Sequence, residues 1–307
     1  MKSFSNFLGI DTSNYTTSAA IVGDGPLQNS RKLLPVGQGE RGLRQSDAVF
    51  FHTKQISEVL GALDIKNIAG IGYSDKPRSE PGSYMPCFLV GQSTAQVLAK
   101  ALDVPRFSFS HQQGHIAAGI LSCGNLDLLS QPFYAFHISG GTMEMLSVNG
   151  LDEIKVCSKT LDITAGQLID RVGVLLGLAF PCGRALEQLA GTWESKQNVK
   201  VCMKGRDCCL SGFENKAKDL YAAGESPQKI AQYIFSVVAS AICEMVDAVI
   251  HDLGARPCLF VGGVMSNLWL RDLLSFRYDA FFAEPDLSCD NAAGVAYLAG
   301  LKYHGKI

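Results

Sequence analysis

Three short apolar runs in the chain each break at a turn of small or polar residues. Phe7-Leu8-Gly9-Ile10 gives way to Asp11-Thr12-Ser13-Asn14-Tyr15-Thr16-Thr17 and resumes at Ala19-Ala20-Ile21-Val22. Tyr134-Ala135-Phe136-His137-Ile138 passes through Ser139-Gly140-Gly141-Thr142 into a second run over 143–148. Each pattern predicts two strands joined by a tight hydroxyl- or glycine-rich turn. The third run, Cys258-Leu259-Phe260-Val261, leads through Gly262-Gly263 into a helical pattern over 267–274. Val49, Phe50, Ile56, Leu60 and Leu63 recur at helical spacing and predict a helix over 46–63. Similar patterns cover 90–102, 167–178 and 226–253, and Asp290-Asn291 gives an N-cap signal for a helix over 292–303. Strands followed by helices, twice over and each time opened by a hairpin, predict an α/β protein of two related lobes. The pattern breaks around Gly124, Asn125, Asp127 and Pro132, which places the divide near 125–131.

Composition narrows the class. A chain of 307 residues accommodates one large or two medium domains. With 47% hydrophobic and 18% charged residues it has ample material for a core, which argues against disorder. The net charge of −2 is not that of a chain holding nucleic acid alone, so an RNA substrate would call for partners or a local patch. The most apolar stretch, 234–250, carries Glu244 and Asp247 and reads as a buried helix. The N-terminus has no charged-then-apolar signal pattern, so the expectation is a cytoplasmic protein without a membrane partner. Ten scattered cysteines with no Cys-x-x-Cys pair read as reduced thiols.

Two features suggest chemistry. Backbone N–H groups in small-residue turns can surround a phosphate, and the two hairpins together with the strand–Gly262–Gly263–helix unit point to a nucleotide. His111 and His115, four apart, share one face of a helix and can chelate one ion, with Asp290 the candidate third ligand. Two His and a carboxylate suit divalent iron or zinc. Ordinary surface or capping histidines remain the alternative. The zinc-protease pattern needs Glu at position 112, where this chain has Gln112.

In order and spacing, these motifs resemble the tRNA threonylcarbamoyltransferases, the TsaD family once called O-sialoglycoprotein endopeptidases. The resemblance runs over about 7–301. It is carried by Leu8-Gly9-Ile10-Asp11-Thr12-Ser13, His111-Gln112-Gln113-Gly114-His115, Ser139-Gly140-Gly141, Ala165-Gly166-Gln167 with Asp170, Leu175-Leu176-Gly177-Leu178, 181–187, Ser211-Gly212, Gly262-Gly263-Val264 with Asn267, and Asp290-Asn291-Ala292-Ala293. It implies the two-lobed actin-like ATPase (ASKHA, sugar kinase/heat-shock ATPase) fold with duplicated mixed-sheet subdomains. The first lobe would span 1–129, with a C-terminal helix in 290–307 packing back on it, and the second 130–289. The implied reaction moves a threonylcarbamoyl group from threonylcarbamoyl-AMP to N6 of an adenosine next to the tRNA anticodon. By the same resemblance, His111, His115 and Asp290 hold one divalent iron or zinc ion, and Asp11 and Ser13 are catalytic. His137, Ile138, Ser139, Gly140 and Gly141 line the substrate and phosphate region of an adenine nucleotide (threonylcarbamoyl-AMP or ATP). Asp170, Gly183 and Glu187 meet its ribose, and Gly262, Gly263 and Asn267 flank its adenine. For the two acids a solvated helix face, and for Asn267 a helix cap, are the plainer readings. The implied partners are a shorter ASKHA-fold paralogue, a small ATPase of the same pathway, and tRNA as substrate through the complex.

The chain departs from the family near the reaction centre. Asn14-Tyr15-Thr16 replaces Cys-Asp-Glu, Asp11 replaces a longer Glu, and Gln113 replaces the acid of His-x-Glu-Gly-His. Gly42-Leu43-Arg44-Gln45-Ser46-Asp47 stands in place of Pro-Glu-x-x-Ser-Arg, and Thr142-Met143-Glu144 follow Ser-Gly-Gly. Losing a positioned carboxylate commonly costs ~2–4 kcal/mol in the transition state, or on the order of 10²–10³ in rate. The departures therefore suggest a diverged paralogue. An adenine-nucleotide-binding regulatory or scaffold protein is one alternative function, and a metallo-glycopeptidase another. Lys196, Lys200, Lys204 and Arg206 could meet RNA phosphates or form a solvated loop.

Overall fold

The computed structural model describes residues 5–13, 15–35, 43–191, 199–287 and 292–307. The chain forms two compact units, one from 1–126 with 286–307 and one from 127–285. The first begins with β1 (Asn6–Asp11), β2 (Thr16–Val22) and β3 (Gln28–Leu33), followed by α1 (Gln45–Gly61), β4 (Ile68–Lys76), α2 (Phe88–Leu102), β5 (Arg106–Ser110) and α3 (His111–Cys123). Its sheet has the order β3-β2-β1-β4-β5, with β1 antiparallel to β2 and parallel to β4. Ser110 starts α3 with a capping box: its hydroxyl accepts from the Gln113 amide while Gln113 Oε1 accepts from the Ser110 amide. Gly124, in the left-handed region at φ 70°, ends that helix.

The second unit contains β6 (Phe133–Ile138), β7 (Met143–Val148), β8 (Ile154–Lys159), α4 (Ala165–Leu175), α5 (Gly183–Ala190), β9 (Cys202–Lys204), β10 (Asp207–Cys209), α6 (Ser211–Ala222), α7 (Pro227–Leu253), β11 (Cys258–Val261), α8 (Leu268–Arg277) and β12 (Ala280–Phe282). Its main sheet runs β12-β11-β6-β7-β8, and β6 is antiparallel to β7 and parallel to β11. This repeats the strand pattern of the first sheet, so the duplication anticipated from the paired hairpins is a feature of the fold. Helix α7 is long and apolar enough to cross a membrane by composition, but its apolar face packs into this unit's core. Ser226 caps it and Pro227 opens it. The helix anticipated over 167–178 ends three residues early, because Gly177 takes φ +83° and turns the chain.

The chain returns to the first unit as α9 (Ala293–Tyr303). Ala293, Gly294, Val295, Ala296, Leu298, Ala299 and Leu301 are all buried, so this is a central helix rather than an amphipathic cover. Its close packing depends on missing side chains. A Cβ on Gly9 of β1 would collide with the Ala292 carbonyl, and one on Gly72 of β4 with that of Val295. One on Gly294 would strike the Gly114 carbonyl in the first turn of α3. Overpacking of this kind costs about 1–3 kcal/mol or more, since backbone cannot step aside as a side-chain tip can. Gly294→Ala is therefore expected to lower the unfolding free energy by at least about 1–3 kcal/mol, read as a lower urea midpoint. Gly61→Ala, whose Cβ would meet nothing within 4 Å, is expected to change stability by less than about 1 kcal/mol. Equal midpoints for the two variants would show that the α3–α9 contact relaxes freely.

Candidate functional site

In the second unit, the turn between β6 and β7 is closed by two hydrogen bonds, Ser139 N to Thr142 O at 2.8 Å and Thr142 N to Ser139 Oγ at 3.1 Å. Gly140 and Gly141 form its tip, and a Cβ on either would meet nothing within 4 Å, so their backbone is open to a ligand. Thr164 does two jobs at the start of α4. Its hydroxyl caps the helix by accepting from Gln167 N, and it donates to Gly140 O at 2.9 Å. Next to it, a Cβ on Gly166 would lie 2.6 Å from both Ser139 O and Gly140 N. Gly262, at φ +104°, presses against the Ile138 carbonyl on the other side. The hairpin turn is thus held backbone to backbone between α4 and the turn after β11.

This packing leaves a cavity of about 590 Å³ lined by Gly140, Asp170, Gly183, Glu187, Gly263 and Asn267, with Ile169, Phe235 and Val264 as apolar wall. Of the other residues singled out from sequence in this unit, His137, Ile138, Ser139, Gly141 and Gly262 are not in its lining. Ile138 is fully buried in the core, and His137 sits on β6 opposite Glu144 and Val261. Asp170 Oδ1 accepts from Cys182 N at 2.8 Å, which ties α4 to the start of α5. Burial pushes the Glu187 carboxyl above the usual carboxylate range, opposed by a hydrogen bond from Leu268 N and by the Arg184 guanidinium. Asn267 is a helix cap, its Oδ1 accepting from Leu270 N at 2.8 Å.

Sequence patterns gave no hint of Arg271. Its Nε donates to Met265 O at 2.6 Å and its Nη2 to Ala283 O at 2.7 Å, pinning the 263–266 turn from behind. An Arg at an ordinary helix position carries no signal that its partners are backbone carbonyls. Lys204 and Arg206, considered above for RNA, lie on β9 and in the turn that follows it, while Lys196 is outside the described residues.

In the first unit, the capping box on α3 sets His111 at the helix start and His115 one turn on. Their Nε2 atoms lie 2.9 Å apart. His111 Nδ1 is 2.7 Å from Oδ2 of Asp11, a carboxylate only 2% exposed at the end of β1. A carboxylate there accepts, so Nδ1 carries the proton and the lone pair of His111 is on Nε2, toward His115. Asp11 is itself held, its Oδ1 accepting from Ser13 N at 3.0 Å. Ser13 Oγ is buried with no hydrogen-bond partner among the described residues. Thr12 fixes the same turn to α2 by donating to Cys87 O and accepting from Gly91 N. Asp290 and Asn14 lie outside the described residues. Among the described residues, no three His, Cys, Asp or Glu side chains are grouped as metal ligands. Gln113 is occupied with its capping box, a role that Glu or Gln fills equally well.

The model of the tRNA N6-adenosine threonylcarbamoyltransferase family, TsaD, matches residues 53–297. A protein named tRNA N6-adenosine threonylcarbamoyltransferase from Syntrophotalea carbinolica is 29% identical over 69% of this chain and 67% of its own. One of the same name from Archaeoglobus fulgidus is 26% identical over 97% of this chain and 92% of its own. Among solved structures, component A of the (R)-2-hydroxyglutaryl-CoA dehydratase of Acidaminococcus fermentans superposes with a TM-score of 0.55 at 16% identity, covering 98% of this chain and 99% of that one. A putative N-acetylmannosamine kinase from Listeria monocytogenes gives a TM-score of 0.52 at 10% identity, covering 98% of this chain and all of that one (100%). These likenesses establish the actin-like ATPase and sugar-kinase fold. The family model covers most of the chain, and the protein belongs to the tRNA N6-adenosine threonylcarbamoyltransferase family.

Proposed function

We propose that this chain binds threonylcarbamoyl-AMP and transfers its threonylcarbamoyl group to N6 of the adenosine next to the anticodon of tRNA. The observation that carries this reading is the cavity of the second unit, where Gly140, Asp170, Gly183, Glu187, Gly263 and Asn267, from separate motifs, line one space. At about 590 Å³ it falls within the ~300–1,000 Å³ usual for small-molecule sites. Asp170 Oδ2 and the Glu187 carboxylate accept from the ribose hydroxyls, and Gly183 leaves room for the sugar. The Asn267 Oδ1 is committed to Leu270 N, so its Nδ2 donates to a ring nitrogen of the adenine. The backbone N–H groups of the 139–141 turn meet the phosphate, with His137 and Ile138 supporting that turn from β6, while Gly262 and Gly263 flank the adenine beside Asn267.

His111, His115 and Asp290 are the residues that would hold one divalent iron or zinc ion. The histidines fit that role, because their Nε2 atoms converge and Asp11 fixes the His111 tautomer with its lone pair toward His115. Asp290 lies outside the described residues and is taken as the third ligand from the sequence motif alone. When bound, such an ion would supply Lewis-acid polarisation of a carbamoyl or phosphoryl oxygen. The nucleophile is the RNA amine. The N6–carbon bond forms, the carbon–oxygen bond to AMP breaks, and N6 releases a proton. Asp11 is then a positioning residue acting through His111, and Ser13 N holds Asp11. The chain works in the cytoplasm with a shorter ASKHA-fold paralogue and a small ATPase, and tRNA reaches it through that complex.

A nucleotide-binding paralogue without transfer activity is the second reading, favoured by Tyr15 and the buried Thr16 in place of acids. Gln113 no longer supports it, being a capping residue.

Reconstitution decides between them: the purified chain, its partner proteins, threonylcarbamoyl-AMP and tRNA should yield modified adenosine. Tight AMP binding with no product would leave the second reading. Calorimetry with AMP should show Glu187→Gln and Asp170→Asn weakened by about 10- to 100-fold each, the cost of losing a charged hydrogen bond of ~1.5–3 kcal/mol. Asp11→Asn should leave AMP affinity unchanged but lower zinc affinity, read by chelator competition, by about 10- to 100-fold. Undiminished zinc affinity in that variant would remove the positioning role of Asp11.

A further inference from the structure

Outside the cavity, the second unit carries a pair of thiols that none of the chemistry above uses. Strands β9 and β10 form a hairpin around Gly205-Arg206, with Lys204 opposite Asp207, Met203 opposite Cys208 and Cys202 opposite Cys209. Side chains alternate along a strand, so Cys208 turns into the core while Cys209 shares the other face with Cys202. Burial follows: Cys208 is 0% exposed, Cys209 is half-buried and Cys202 is exposed. The pair flanking a two-residue turn exchanges hydrogen bonds, and so does every second pair beyond it, which makes Cys202 and Cys209 a directly opposed pair with Cα atoms about 5.5 Å apart. Disulfides span roughly 4.4–6.8 Å between Cα atoms. The backbone therefore already stands at bridging distance, and the two thiols interact directly.

We propose that Cys202 and Cys209 are a modification site, a dithiol that closes to an intramolecular disulfide by exchange with a small-molecule disulfide such as oxidised glutathione. The Cys202 thiolate attacks one sulfur of the reagent, whose sulfur–sulfur bond breaks and releases one thiolate. Cys209 then attacks Cys202 Sγ and releases the second. Two protein thiols are oxidised, one disulfide is reduced to two thiols, and the protons lost by the cysteines end on the released thiols. Cys202 acts first because it is exposed, whereas burial, Asp162 and Cys202 itself hold the Cys209 thiol above its ordinary value.

The remaining thiols explain why the reaction would be selective. Cys157, Cys208 and Cys258 are buried in the core, their thiols pushed up to about 11, about 12 and about 12 by desolvation. Closure would also act on a segment that matters. The hairpin is bonded to the strand end and loop preceding α4, through Cys208 O accepting from Leu161 N at 2.8 Å and Asp207 Oδ1 from Lys159 N at 2.9 Å. Asp162 in that loop takes Leu210 N at 2.7 Å, and Thr164 at its end holds Gly140.

The test is peptide mapping of the whole chain after incubation with oxidised glutathione, alkylation of free thiols and tryptic digestion. A peptide of residues 201–204 linked to one of 207–216, two hydrogens lighter than the sum and separated by dithiothreitol, is the expected product. It should be absent in Cys202→Ser and in Cys209→Ser. Glutathione retained on Cys202 without closure would overturn the proposal. So would a link that survives in Cys209→Ser, which would point to Cys208, or full alkylation of both thiols.

Discussion

The first unit rests on contacts in which backbone meets backbone with no side chain between. Helix α9 runs through the middle of that unit, and it reaches β1, β4 and α3 because Gly9, Gly72, Gly114 and Gly294 present no Cβ where the chains cross. At Gly9, Gly72 and Gly294 a backbone carbonyl stands where any other residue would put a carbon, and at Gly114 the Val295 side chain fills that place. The gain from such packing is dispersion at full density over a whole helix face, and it is lost as a unit when one contact is forced apart. The same geometry has a chemical consequence. The Gly114–Gly294 contact falls in the helical turn that carries both histidines, so it fixes the backbone from which they project.

The second unit uses the device again for a different end. Gly166 presses on Ser139 and Gly140 of the turn, Gly262 on Ile138 just before it, and Thr164 adds a hydroxyl bond to the Gly140 carbonyl. A glycine-rich turn is ordinarily the softest part of a hairpin. Here its flexibility is removed by neighbours rather than by its own sequence, which leaves an open backbone tip that is nevertheless fixed. Arg271 does the equivalent for the 263–266 turn by bonding carbonyls on two segments. Preorganised N–H groups need that kind of support, because a donor that must be ordered on binding loses part of what it contributes.

What was legible in the sequence was what is local. The hairpins β1–β2 and β6–β7 and the strand–Gly–Gly–helix unit are encoded by short apolar runs and the turns between them, and α7 by a long helical period with Ser226 and Pro227 at its start. Strand β4 escaped notice because Ile-Ala-Gly-Ile-Gly-Tyr has two glycines and no alternation. It is a strand because it pairs in parallel with β1 and β5. At the site, ordered motifs indicated which residues to consider, but not what each one touches. Asp11 and His111 are a hundred residues apart in the chain and 2.7 Å apart in space, a relation no motif spells out. Asn267 was read both as an adenine contact and as a cap, and its Oδ1 is in fact a cap.

Gln113 stands where the family motif His-x-Glu-Gly-His has an acid. Replacing a carboxylate by an amide in a His-x-x-x-His segment suggests lost acid–base chemistry. The side chain, however, is buried and closes a capping box with Ser110, accepting from the N-cap amide at 2.6 Å. An amide oxygen serves that purpose as a carboxylate does, and the sign of the charge is of little account where the partner is a backbone N–H. The substitution therefore preserves the geometry of the two histidines. Thr16 differs in kind. It opens β2 with its backbone bonded to Ser13 and its side chain buried, so no solvated acid could take its place there without a partner to neutralise it. Gln113 is therefore neutral between the two functional readings, and Tyr15 and the buried Thr16 are the residues that bear on the choice.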